Sequence, residues 1–131
     1  MRVERFENRV AIVTGAAQGI GRAVALQMAA EKASLLLVDR SDIVKEVAEE
    51  ALAAGAASVQ ISVVDLERYA DACKAVNLAV SHFGRIDILV NNVGGTIWVQ
   101  PYEVYEEEQI EAEIRRALFP ARWCSHSVLA Q

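Results

Sequence analysis

Thr14-Gly15-Ala16-Ala17-Gln18-Gly19-Ile20-Gly21 is the stretch whose reading decides the fold. Just before it lies Val10 to Val13, a short apolar run with β-branched residues, and Ile20 to Ala30 is composed of residues that favour helix. Glycines at this spacing are a weak signal in isolation, because turns use glycine freely. Between a strand and a helix they acquire a specific geometry. Gly15 permits a tight turn, Gly19 lets the backbone approach a pyrophosphate without an intervening Cβ, and Gly21 lets the helix pack closely on the sheet. Gln18 and Ile20 complete the turn, whose helix N-terminus offers free N–H groups and a positive dipole end to phosphates.

Reading outward, Leu35 to Val38 is a second apolar run that ends in Asp39, eighteen residues beyond Gly21. A dinucleotide site needs a carboxylate there to accept hydrogen bonds from the adenosine ribose hydroxyls. Asp39 also favours NAD over NADP. A 2′-phosphate about 4–5 Å from this carboxylate would cost roughly 3 kcal/mol at an effective dielectric near 20, about a hundredfold in affinity. Gln18 carries no charge to offset that cost, and Arg40 is the nearest basic residue that does.

The alternation continues. Val44, Val47, Ala48, Ala51 and Leu52 form a helical stripe, with Ser41 or Asp42 as the expected cap and Gly55 as the stop. Val59 to Val64 reads as a strand. Tyr69, Cys73, Val76, Val80 and Phe83 mark a helix stopped by Gly84, and Ile86 to Val90 reads as a fourth strand. A loop with Gly94, Gly95 and Pro101 leads to a last helix over about 106–129. Its expected inner face is Ile110, Ile114, Ala117, Ala121 and Val128, with a kink near Arg116 to Pro120 where proline removes a hydrogen bond. Strands alternating with helices, each strand nearly continuously apolar, predict an α/β fold: a Rossmann-type parallel sheet with helices on both faces. No repeat or linker interrupts residues 1–131, which read as one dinucleotide-binding unit.

Composition narrows the function classes. A net charge of −5 argues against a nucleic-acid partner, which demands a basic face. No stretch approaches the ~20 apolar residues of a membrane span, and the charged stretch from Met1 to Val10 lacks a signal peptide's apolar centre, so the expected location is cytoplasmic. Cys73, Cys124, His82 and His126 have no metal or redox spacing and read as packing residues; Cys124 and His126, two apart, would face different sides of a helix. No metal site is expected.

The chain resembles the short-chain dehydrogenase/reductase family. Thr14 to Gly21 matches its Thr-Gly-x-x-x-Gly-x-Gly motif, Asp65 followed by Leu66 matches its adenine-contacting aspartate after the third strand, and Asn91-Asn92-Val93-Gly94 matches its Asn-Asn-Ala-Gly, with valine for alanine. The resemblance implies that Asp65, Leu66, Asn91 and Gly94 join Gly15, Gln18, Gly19, Ile20, Gly21 and Asp39 around the cofactor. Residues 91–98, Pro101-Tyr102-Glu103, 109–116 and Leu118-Phe119-Pro120 further resemble the branch that oxidises the cis-diol of benzoate with NAD, releasing CO2 and forming a catechol.

The family's catalytic Ser, Tyr and Lys are not in this chain. Tyr69, Tyr102 and Tyr105 are followed four residues later by Cys73, Glu106 and Gln109, and Ala117 aligns with the family's active-site asparagine. The expectation is therefore the cofactor half of such an enzyme, truncated after the fourth strand and its following helix and inactive alone. Its apolar edge strand, and Leu118, Phe119, Trp123 and Val128 on the final helix, would then await partners, most simply copies of itself in a homo-oligomer. Two other readings are a non-catalytic nucleotide-binding or interaction module, and a dehydrogenase of the same family acting on another alcohol. Trp98 and Val99 are candidates to border a substrate pocket.

Overall fold

The computed structural model describes residues 3–131; Met1 and Arg2, part of the charged N-terminal stretch, lie outside the described residues. Four strands, β1 (Val10–Thr14), β2 (Ser34–Asp39), β3 (Ser58–Val63) and β4 (Ile88–Val90), alternate with α1 (Gly19–Ala30), α2 (Val44–Ala54) and α3 (Tyr69–Phe83). A short 3-10 turn at Tyr102–Val104 precedes α4 (Glu107–Ala117) and α5 (Phe119–Leu129). The sheet is parallel in the order β3-β2-β1-β4, with Val10 opposite Ser34 and Ser34 opposite Ser58.

Two-residue alternation sorts the apolar strand residues onto two faces. Ala11, Val13, Leu35 and Leu37 pack beneath α1 and α2, while Ile12, Leu36 and Val38 pack with α3 and Cys124 of α5 on the opposite face. This accounts for the near-continuous apolarity of β1 and β2. The edges differ: β3 is mostly half-buried with Val63 exposed, and all three β4 residues are half-buried. β4 is also shorter than expected, because Ile86 precedes the ladder and packs against the α3 face.

Helix boundaries follow local chemistry. Gly55 and Gly84 end α2 and α3 in left-handed conformations, φ 119° and 77°. Ser41 and Asp42 do not cap α2 as predicted. They form the turn before it, where Ser41 Oγ accepts the Ile43 N–H, and the helix starts one residue later without a side-chain cap. Pro120 has no N–H and its ring crowds the carbonyl of Arg116, so the predicted long helix breaks at Leu118 (φ −107°).

The predicted inner face of this last segment holds only in part. α4 has no buried residue, Ile114 and Ala117 are exposed, and burial resumes in α5 at Pro120, Cys124 and Ser127. The reason is that α5 lies against α3 and β4, whereas α4 meets chiefly α5. Trp123 is not a free surface residue either. It packs edge-on against Tyr69, with ring centroids 5.4 Å apart, and its Nε1 donates to the Glu67 carbonyl.

Candidate functional site

The carboxyl ends of β1, β2 and β3 and the loop after β4 converge on an open cleft of about 460 Å³. The glycine turn forms one wall. Gly15 (φ +65°) and Gly19 (φ +58°) adopt backbone that side chains resist, and the position of a Gly19 Cβ faces open space. Gly21 has a different task from the one predicted. A Cβ there would sit 2.1 Å from the Gly15 carbonyl oxygen and 2.6 Å from Asn92 Nδ2, so this glycine lets the turn close on itself and on Asn92. α1 has no side-chain cap, and the N–H groups of Gly19, Ile20 and Gly21 have no hydrogen-bond partner among the described residues.

Thr14 ties the turn to β4. Its buried hydroxyl donates to Val90 O (3.1 Å) and accepts the N–H groups of Asn92 (2.9 Å) and Val93 (3.3 Å), while Asn92 Nδ2 donates to Gly15 O. Asp39 ties the turn to β2: Oδ2 accepts the Ala17 N–H at 3.0 Å and Oδ1 the Ser41 N–H at 2.9 Å. Each carboxylate oxygen keeps acceptor capacity towards the cleft. Asp65 folds its own loop by accepting the Glu67 N–H, and Leu66 is buried against Ile12 and Leu36 below.

Of the residues singled out from sequence, Gly15, Gln18, Gly19, Ile20, Asp39, Asp65, Leu66 and Gly94 line the cleft. Gly21 lies behind the turn. Asn91 points away, its Nδ2 donating to Ser125 Oγ on α5, and the neighbouring Asn92 takes the cleft position. Val64, Glu67, Val93 and Arg116 also line the cleft without having been singled out; Arg116 comes from α4, which no local pattern places there. Ala117 backs Gly94, its Cα 3.8 Å from where a glycine Cβ would be. Trp98 and Val99 do not line the cleft, and Val99 is fully exposed.

The loop between β4 and α4 is held mainly by the Glu113 carboxylate, with the Tyr105 hydroxyl also donating to Trp98 O at 2.8 Å. Glu113 Oε1 accepts the N–H groups of Ile97 (2.9 Å) and Trp98 (3.2 Å) and the Tyr105 hydroxyl (3.1 Å). Burial acts to raise the Glu113 carboxyl, but these donors and the charge of Arg116 outweigh it and hold it below the ordinary range.

The match to known proteins covers nearly all of this architecture: the family described as short chain dehydrogenase matches residues 9–131. The chain belongs to the short-chain dehydrogenase family. The family uses NAD or NADP. Two curated relatives within it are similar along almost the whole chain. The 1,6-dihydroxycyclohexa-2,4-diene-1-carboxylate dehydrogenase of Pseudomonas putida is 54% identical over 127 residues, 97% of this chain and 46% of the relative. The enzyme of the same name from Acinetobacter baylyi is 51% identical over 128 residues, 98% of this chain and 49% of the relative. The chain thus spans about half the length of the curated relatives it matches. Among solved structures, NAD+-bound xylitol dehydrogenase superposes with a TM-score of 0.91 at 26% identity, over 97% of this chain and 49% of that one.

Proposed function

We propose that this chain is the NAD-binding part of a short-chain dehydrogenase that oxidises a cis-dihydrodiol carboxylate to a catechol with loss of CO2. The observation that carries the cofactor assignment is Asp39, placed in the same cleft as the uncapped N-terminus of α1. The unpaired N–H groups of Gly19, Ile20 and Gly21 suit the pyrophosphate, and the Asp39 carboxylate suits the ribose hydroxyls. Because Asp39 also accepts the Ala17 N–H, it holds the turn in the shape that receives the phosphates. When bound, NAD supplies the hydride acceptor.

The chain's own residues bind and orient; they do not move the substrate's proton. Tyr69 is pushed above the ordinary phenol range by the Cys73 thiol and by burial, and Tyr105 by burial and the adjacent Glu113 carboxylate. Both shifts run opposite to those of a tyrosine general base. Ala117, at the position corresponding to the family's active-site asparagine, has no polar side chain to offer. A serine, tyrosine and lysine outside this sequence are required for turnover. Support for the substrate comes from the names of the two relatives, both dehydrogenases of a dihydroxycyclohexadiene carboxylate.

Calorimetric titration of the purified chain with NAD and NADP tests the cofactor reading. The expected result is saturable NAD binding, about a hundredfold tighter than NADP. Equal affinity for the two would overturn the assignment of Asp39, and absence of binding would overturn the chain as a self-sufficient cofactor site. A chain extended to the relatives' length, supplied with NAD and a panel of cis-diols, tests the substrate. NADH formation on a simple secondary alcohol but on no cis-diol carboxylate would favour a dehydrogenase of other specificity.

A further inference from the structure

Two arginines line the cleft, Arg40 directly after β2 and Arg116 on α4, and the turn, the strands and the ribose carboxylate leave Arg116 without a role. It stands on the last turn of α4, with its Nε 3.8 Å from Glu67 Oε2, beyond hydrogen-bond range, and about a quarter of its side chain exposed. Its guanidinium donates no hydrogen bond among the described residues. Glu67 is better anchored: its N–H is taken by Asp65 Oδ1, and its carbonyl accepts Trp123 Nε1. Glu67, on a stretch of backbone anchored at both its N–H and its carbonyl, therefore draws a loosely tethered, planar cation over the β3 end of the cleft.

The sheet order gives that end a meaning. Phosphates at the N-terminus of α1 lie beside β1, and a ribose held by Asp39 lies at the end of β2. Continuing in the same direction by one strand, about 4.8 Å, brings the adenosine's base to the end of β3, where Val64 to Glu67 form the floor. Arg116 reaches this place from the opposite wall.

We propose that the Arg116 guanidinium is the surface on which the purine base of the dinucleotide stacks, with Glu67 positioning it. A guanidinium plane suits an aromatic ring face, whereas a lysine ammonium offers only a point charge. This inference rests on the NAD reading and adds a selection for the base to the selection for the ribose.

The test compares the wild-type chain with Arg116→Leu and Arg116→Lys, titrated with NAD, AMP and ribose 5-phosphate. Loss of the stack weakens NAD and AMP by about 3- to 30-fold in the leucine variant. Ribose 5-phosphate, which has no base, binds as before, and lysine restores less than half of the lost binding free energy. Unchanged AMP affinity in a variant of a chain that binds NAD would overturn this proposal and leave the NAD reading standing. An equal loss for ribose 5-phosphate would also overturn it, since Arg116 would then be reading phosphate. A wild-type chain that binds no NAD would remove both. Should the leucine variant fail to fold, the lysine variant carries the same comparison, because it preserves the charge beside Glu67.

Discussion

Leu36 and Leu118 are the same side chain in opposite situations. Leu36, in β2, is fully buried between Ile12, Val38 and the helices of one sheet face. Leu118, at the break between α4 and α5, is 48% exposed. The contrast extends to their surroundings. Around β1 and β2 the apolar side chains are covered, and Thr14, Asp39 and Asn92 tie the glycine turn to the neighbouring strands, leaving Ile20 and the first N–H groups of α1 open to the cleft. Around the loop after β4 and α4, Val99, Tyr102, Val104 and Ile114 remain exposed, and polar ties from Glu113, Tyr105 and Gln109 hold the loop. The cofactor wall is thus built from contacts within the chain, while the face beside it is held by polar ties and has little core of its own.

Equal truncations in the two regions should break or confirm this contrast. Leu36→Ala removes a fully enclosed side chain and should cost about 3–4 kcal/mol of unfolding free energy, read from urea melts. A loss below about 1 kcal/mol would mean the sheet centre is looser than its packing implies. Gly21→Ala comes next, at about 2–3 kcal/mol, because its Cβ would meet backbone at 2.1 Å. NAD binding should disappear with it, whereas Gly19→Ala should keep the fold and suffer mainly from its positive φ.

A pH measurement probes the same well-paired region. Arg5 donates two hydrogen bonds, each 2.5 Å, to the Glu31 carboxylate and lowers its pKa from 4.5 to about 2. Between those values the unfolded chain binds a proton that the folded chain does not, so Glu31 stabilises above pH about 4.5 and its contribution fades as pH falls through about 2. Melting temperature should therefore drop more steeply below pH 4.5 in the wild type than in Glu31→Gln; parallel curves would remove the pair from the stability of this region. The smallest effect belongs to Leu118→Ala, within about 0.5 kcal/mol in the same urea melts. A larger loss would show that something covers Leu118 in solution, and sedimentation velocity would then identify a second copy of the chain.

Much of the site was legible because its signals are local. The turn from Thr14 to Gly21 needs positive φ at Gly15 and Gly19, which only particular residues supply at fixed offsets, and a carboxylate at the end of the next strand follows from strand and helix lengths. Proline chemistry likewise announced the break near residue 118. The misplacements arose where the partner is distant in sequence. Asn91 and Asn92 exchange roles because α5 presents Ser125 to one of them and the turn presents Gly15 to the other. Trp123 looked like a surface anchor because nothing near it in sequence reveals Tyr69 and Glu67.

The sequence by itself determined the alternation of strands and helices, the glycine turn and the acidic residue that follows it, since each depends on backbone preferences and periodicity over a few residues. Tertiary structure alone decided that Gly21 serves the turn rather than the sheet, that Thr14 and Asn92 bind β4 to β1, that α4 buries no residue, and that Arg116 stands over the β3 end of the cleft. The physical reason is common to all four. Each depends on which groups meet across 70 or more residues of chain, or across two elements joined by no local rule, and packing settles such meetings only when the whole sheet is assembled.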